Sequence, residues 1–148
     1  MVNPTLARVL DRHGGIARMG EFLAAGNDIE WVRMSRGYGK ILMIRKGWYC
    51  RPELAPEIIM AVRVGGRLGC VSALAHHGLG PVPDRVHIAL PPGASRLRDP
   101  HDHHRRLGTH DGIVLHWSAE PLSGDRCAVG GDEARAQAAS CWATATTP

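Results

Sequence analysis

Side chains able to grip a nucleic acid crowd into one stretch of the chain, Asn27 to Arg51. Arg33 and Arg36 stand three residues apart, which places them on one face of a helix. Guanidinium groups so placed can pair with guanine edges in a major groove, each good bidentate contact contributing about 1–3 kcal/mol of discrimination. Asp28 opens the same helix, and Glu30 can accept from a cytosine amine, although its spacing from Asn27 also suits a capping role. Lys40, Arg45, Lys46 and Arg51 follow, and cations so spaced are expected to meet phosphates, which gives affinity and orientation but little base information.

Other chemistries find less support. His101, His103, His104 and His110 share a segment with Asp99, Asp102 and Asp111, a set able to bind zinc or nickel. Catalytic zinc sites hold their ligands on rigid elements, however, and no H-E-x-x-H pair is present. His76, His77, His87 and His116 are expected to be ordinary core or surface residues. A nuclease of the E-x-K type is excluded, because neither Lys40 nor Lys46 has Glu two residues before it. With no G-x-x-x-x-G-K-[ST] loop and no G-x-S-x-G, no catalytic set can be assembled and no enzyme is expected. Cys50, Cys70, Cys127 and Cys141 lie far apart without a C-x-x-C pair, which argues against a disulfide framework or a zinc knuckle. No metal or cofactor is expected.

The elements that must position the basic residues are legible around them. Leu6, Val9 and Leu10 recur at helical spacing between Pro4 and Arg12, and Ile16, Met19, Phe22 and Leu23 repeat the pattern over Ile16 to Ala25. Asn27 caps a third helix that ends near Gly37. An apolar strand, the Lys46-Gly47 turn and an aromatic strand from Trp48 then make a hairpin. Phe22 is expected at the core, Trp31 packed inward, and Trp48 and Tyr49 sealing the hairpin. Three helices and a basic hairpin make a winged helix-turn-helix, with Asp28 to Arg36 sized for the major groove.

Charge agrees with that layout. Residues 1–51 hold nine Arg/Lys against four Asp/Glu, an excess of +5, whereas residues 52–148 hold nine against ten, an excess of −1. Sixteen of the 18 basic residues are Arg, a bias that a GC-rich coding genome would also produce. No apolar run approaches the roughly 20 residues that span a bilayer, and no signal peptide opens the chain, so no membrane partner and a cytoplasmic location are expected.

Composition changes after Pro52. Pro56 to Val64 reads as a buried helix and Cys70 to His77 as a second one of small residues. Asp84 to Leu90 and Ile113 to Trp117 alternate as strands do, with a long structureless loop between them. The expected class is α+β: a winged helix-turn-helix domain over 1–51, a small mixed α/β domain over 53–122, and a poorly ordered or truncated tail over 123–148.

The ordered set of motifs resembles the winged-helix N-terminal domain of AbiEi-type antitoxins, the antitoxin half of type IV toxin-antitoxin systems. The resemblance rests on His13-Gly14-Gly15-Ile16 with Leu23 to Gly26, on Arg45-Lys46-Gly47-Trp48-Tyr49, and on Cys70 to Leu74 with His77-Gly78-Leu79. It extends through Val86 to Pro91 and Val114 to Trp117, covering roughly residues 5–122. It departs at Met43, where the family's wing carries a basic residue. The resemblance implies a repressor that binds its own operator as double-stranded DNA, an autoregulator or a phage or prophage repressor. The alternative it implies is a protein-binding module that neutralises a nucleotidyltransferase-type toxin.

Overall fold

Two consecutive glycines decide how the chain enters its first sheet. Helix α1 (Pro4–Asp11) buries Leu6, Val9 and Leu10, and beyond it Gly14 and Gly15 take φ of +69° and +96°. L-residues with a Cβ rarely adopt that conformation. The reversal lets Ile16–Arg18 run as strand β1 before helix α2 (Met19–Ala24) begins. The single helix expected over Ile16 to Ala25 is therefore divided. Its first three residues gain more by pairing with a neighbouring strand than by adding a turn to α2. Helix α3 (Ile29–Gly37), strand β2 (Leu42–Arg45) and strand β3 (Trp48–Cys50) complete the N-terminal part, with the antiparallel order β1-β3-β2. The computed structural model describes residues 4–145.

Both faces of that sheet are covered. Ala17 and Tyr49 turn toward α1, α2 and α3, where Phe22 is fully buried and meets Tyr49 edge-on with ring centroids 6.0 Å apart. Ile16, Ile44 and Cys50 turn the other way, into a larger cluster shared with the rest of the chain. Adjacent strand residues point to opposite faces, so a fully covered sheet shows no polar alternation.

The larger cluster is built on helix α4 (Pro56–Val64), strand β4 (Arg67–Leu68), helix α5 (Cys70–His76) and strand β5 (Val86–Leu90). Strands β6 (Arg98–Asp99), β7 (Asp102–Arg106) and β8 (Ile113–Trp117) follow, then helix α6 (Gly131–Ala145). The second sheet has the order β4-β5-β8, with β5 antiparallel to β4 and parallel to β8. The protein is of the α+β class, and among the described residues no helix is long and apolar enough to cross a membrane. The larger core crosses the boundary placed at residue 52, because Ile16, Ile44 and Cys50 pack with Ile58, Val62 and Val64, whereas the smaller core lies wholly before it.

Two stretches are more ordered than expected. Between Leu90 and Ile113, β6 and β7 pair as a hairpin in place of a structureless loop. Its carboxylates form the turns: Asp99 accepts from the His101 backbone N–H at 2.8 Å and Asp102 from that of His104 at 3.0 Å. Residues 123–145, expected as a poorly ordered tail, bury Cys127, Ala128 and Val129 and form α6 against α5. Helical periodicity is faint there because Ala134 and Ala138 make the contact. Small side chains permit close helix packing without an apolar stripe.

A partly buried ion pair ties this C-terminal stretch back to α2. Arg126 donates to both carboxylate oxygens of Glu21 at 2.7 and 2.6 Å, and its guanidinium lies 5.4 Å from the Trp48 ring centroid. Hydrogen bonds from Arg126, reinforced by one from the Arg18 backbone N–H, hold the Glu21 carboxyl at about 2, against an ordinary 4.5. Because the folded pKa is the lower one, this contribution is complete above pH 4.5 and fades as pH falls toward 2. Partial exposure screens the pair, so Glu21→Gln is expected to cost on the order of 1–2 kcal/mol at neutral pH. Urea denaturation at neutral pH and near pH 2 checks it: the gap between wild type and variant should close in acid. An equal gap at both would show that the ion pair is not its source.

Candidate nucleic-acid interface

Helix α3 begins one residue later than its sequence suggests. Gly26 turns the chain, Asn27 bends back so that its side-chain amide donates to the Phe22 carbonyl at 3.0 Å, and Asp28 becomes the cap. The Asp28 carboxylate accepts from the Glu30 N–H at 2.8 Å. Asp28 is thus committed to the helix start, where a carboxylate also complements the helix dipole. Glu30 does not reach back to the cap; it pairs with Arg33 at 3.0 Å on the exposed surface.

Val32 and Ser35 are the buried side chains of α3, and the Ser35 hydroxyl donates to the Trp31 carbonyl at 2.8 Å. That choice of inner face fixes the outer one. Arg33 and Arg36 emerge along one flank, and Trp31, Met34 and Tyr38, spaced i, i+3 and i+7, along the other. Trp31, expected to pack inward, is 42% exposed, because Val32 and Ser35 occupy the positions that face the core. Lys40 is exposed in the turn between α3 and β2, and Lys46 is exposed at the tip of the β2–β3 hairpin. Trp48 and Tyr49 pack inward as expected, and Met43 is half buried against the smaller core.

Two of the expected phosphate contacts are occupied elsewhere. Arg45 donates to the Arg63 carbonyl at 3.3 Å and the Arg96 carbonyl at 2.8 Å. Burial, with repulsion from Arg98 second, lowers its pKa. Arg51 lies at the end of β3 remote from the hairpin turn, where it donates to the Ala7 carbonyl and pairs with Asp11. Neither position could be recognised as structural from the sequence, since the carbonyls that hold Arg45 come from segments 18 and 51 residues away.

The structure adds cations that the sequence reading did not select. The β6–β7 hairpin lies beside edge strand β2, so that Arg36, Arg45, Lys46, Arg96, Arg98 and the His103–His104 pair line a cleft of about 520 Å³. A second cleft of about 590 Å³ continues past Lys46 to Arg98 and Arg106. Among the described residues no carboxylate lines either one. Burial first and the neighbouring His104 second lower the His103 pKa, so that ring is neutral at neutral pH. The available signal was the alternation Arg96-Leu97-Arg98 and the run His103 to Arg106, masked by Asp99 and Asp102, whose charges are tied up in turns.

Of the eight residues selected from the sequence, Arg36, Lys46 and the anchored Arg45 therefore meet in one cleft. Arg33 and Glu30 lie on the adjoining helix surface, Lys40 in the next turn, Asp28 at the helix cap, and Arg51 apart from the rest. No protein-family model matches the chain, and no curated protein matches it.

Proposed function

We propose that this protein is a sequence-specific double-stranded DNA-binding repressor whose first 51 residues form a winged helix-turn-helix, in the manner of AbiEi-type antitoxins. Helix α3 is the reading helix and the Lys46-Gly47 turn the wing tip. The observation that carries this reading is the carboxylate-free cleft in which Arg36 from the helix faces Lys46 from the hairpin, beside an α3 surface left open to solvent. The exposed flank of Trp31, Met34 and Tyr38 can take apolar contacts, including thymine methyl groups.

Titration of duplexes from the protein's own upstream region tests it. With four to six phosphates engaged, log K should fall against log salt with a slope of about −4 to −5. Arg33→Ala should relax base preference, whereas Lys46→Ala should weaken all sequences alike. Binding indifferent to salt, or identical losses from both variants, would remove the proposal. The same apolar flank favours a second reading, in which the chain binds a nucleotidyltransferase-type toxin. Co-purification with such a toxin, abolished by Tyr38→Ala and unaffected by Lys46→Ala, distinguishes that reading.

A further inference from the structure

The four most promising metal-binding side chains of the chain meet at a place unrelated to the basic face. Cys70 opens α5, His87 lies on β5, His116 on β8 and Cys141 on α6, and one donor atom from each lies within 4.8 Å of all the others. We propose that Cys70, His87, His116 and Cys141 form a tetrahedral zinc site that fastens the last helix to the second sheet.

Strand register produces the imidazole pair. His87 is opposite Val114 and Ala89 is opposite His116, so the two histidines share one face of adjacent parallel strands, two residues out of step. His87 Nδ1 and His116 Nε2 stand 3.0 Å apart. In a tetrahedron with Zn–N bonds of about 2.0–2.1 Å the nitrogens are roughly 3.3 Å apart, and with Zn–S bonds of about 2.3 Å the sulfurs are roughly 3.8 Å apart. The observed cluster needs only small side-chain movements to reach those edges. Two thiolates and two imidazoles suit zinc and offer nothing to a hard oxygen-seeking cation.

The surroundings are those of a prepared site. Cys70 is fully buried and holds a φ of +49°, a left-handed conformation unusual for a residue with a Cβ. Its backbone N–H donates to the Gln137 side chain on α6 at 2.8 Å, and the His87 N–H donates to Ser72 on α5 at 2.8 Å. Strained backbone of this kind persists where the surrounding contacts over-determine it, and it gathers at functional sites. A cleft of about 600 Å³ lined by His116, Trp117, Gln137 and Cys141 gives an ion access. With all four positions supplied by protein, the site is structural and leaves none for substrate.

Elemental analysis of the full chain, purified without a histidine tag under reducing conditions with zinc supplied, tests the proposal. About one zinc per chain is expected. Cys70→Ser with Cys141→Ser should abolish it, whereas His101→Ala with His104→Ala should leave it unchanged. Removing the metal with a strong chelator should lower Tm by roughly 10 °C. Should the cysteine variant fail to fold, cobalt substitution of the wild-type chain decides, through thiolate charge-transfer bands and the intense visible absorption of a tetrahedral ion. Zinc below about one tenth of an equivalent, a cobalt spectrum without thiolate bands, zinc retained by the double cysteine variant, or a Cys70–Cys141 disulfide in the reduced preparation would each overturn it.

Discussion

Gly66→Ala is expected to cost at least about 3 kcal/mol, a large share of the stability of a domain this size. A Cβ at Gly66 would stand 2.0 Å from the Ala89 carbonyl oxygen and 3.0 Å from its carbonyl carbon. The obstacle is backbone, and Ala89 is paired with Arg67 on one side and His116 on the other, so moving it disrupts both strand pairings. Overfilling a core costs about 1–3 kcal/mol when side chains can yield, and more is expected where they cannot. Total stabilities of domains this size are about 5–15 kcal/mol. Gly20→Ala is the contrast: it lies in α2 with nothing within 4 Å of a new Cβ, so relief of glycine's helix penalty should stabilise by about 0.5–1 kcal/mol. Urea midpoints followed by circular dichroism measure both. A Gly66→Ala protein within about 1 kcal/mol of wild type would mean that β4 does not pack against β5 as described.

Under the proposed function, replacing Lys46, Arg96 and Arg98 together by Ala is expected to weaken duplex binding about 100- to 200-fold at 0.15 M salt. Each phosphate contact contributes about 0.9 to the salt exponent, so losing one at that ionic strength costs roughly five- to six-fold. Three such losses multiply to the stated figure and make the salt slope shallower by nearly 3. All three side chains line the clefts beside the β2–β3 hairpin, and none is held by a carboxylate in an ion pair among the described residues. Arg45→Ala separates the roles. Its guanidinium serves two backbone carbonyls, so its removal should lower the urea midpoint, whereas the triple variant should not. Fluorescence anisotropy across a salt series reads the binding effect, and an unchanged slope would exclude this face as the phosphate-contacting surface.

Local patterns were legible where one face of an element meets one core. α4 begins at Pro56 and ends before Gly65 as its composition implies, and β5 and β8 fall within the alternating stretches. Legibility failed where long-range contacts decide. β1 could not be told from the start of α2, because Ile16 and Ala17 are both apolar and both buried, in different cores. The basic face was half visible: Arg36 and Lys46 were recognisable in the sequence, while Arg96 and Arg98 join them only through the β6–β7 hairpin. The Cys70, His87, His116 and Cys141 cluster was invisible for the same reason, since its members are separated by 17, 29 and 25 residues and share no motif.

Arg45, the last residue of β2, joins the β2–β3 hairpin beside its turn to the backbone at Arg63 and Arg96, and the sheet beneath it is packed on both sides. Helix and finger therefore behave as a jig of fixed opening. Under the proposed function, adjustment on docking falls to the nucleic acid, which has to bend or twist to meet both parts at once. Pliable pyrimidine–purine steps and stiff A-tracts respond differently to that demand. Operator choice then extends to base pairs that no side chain reaches.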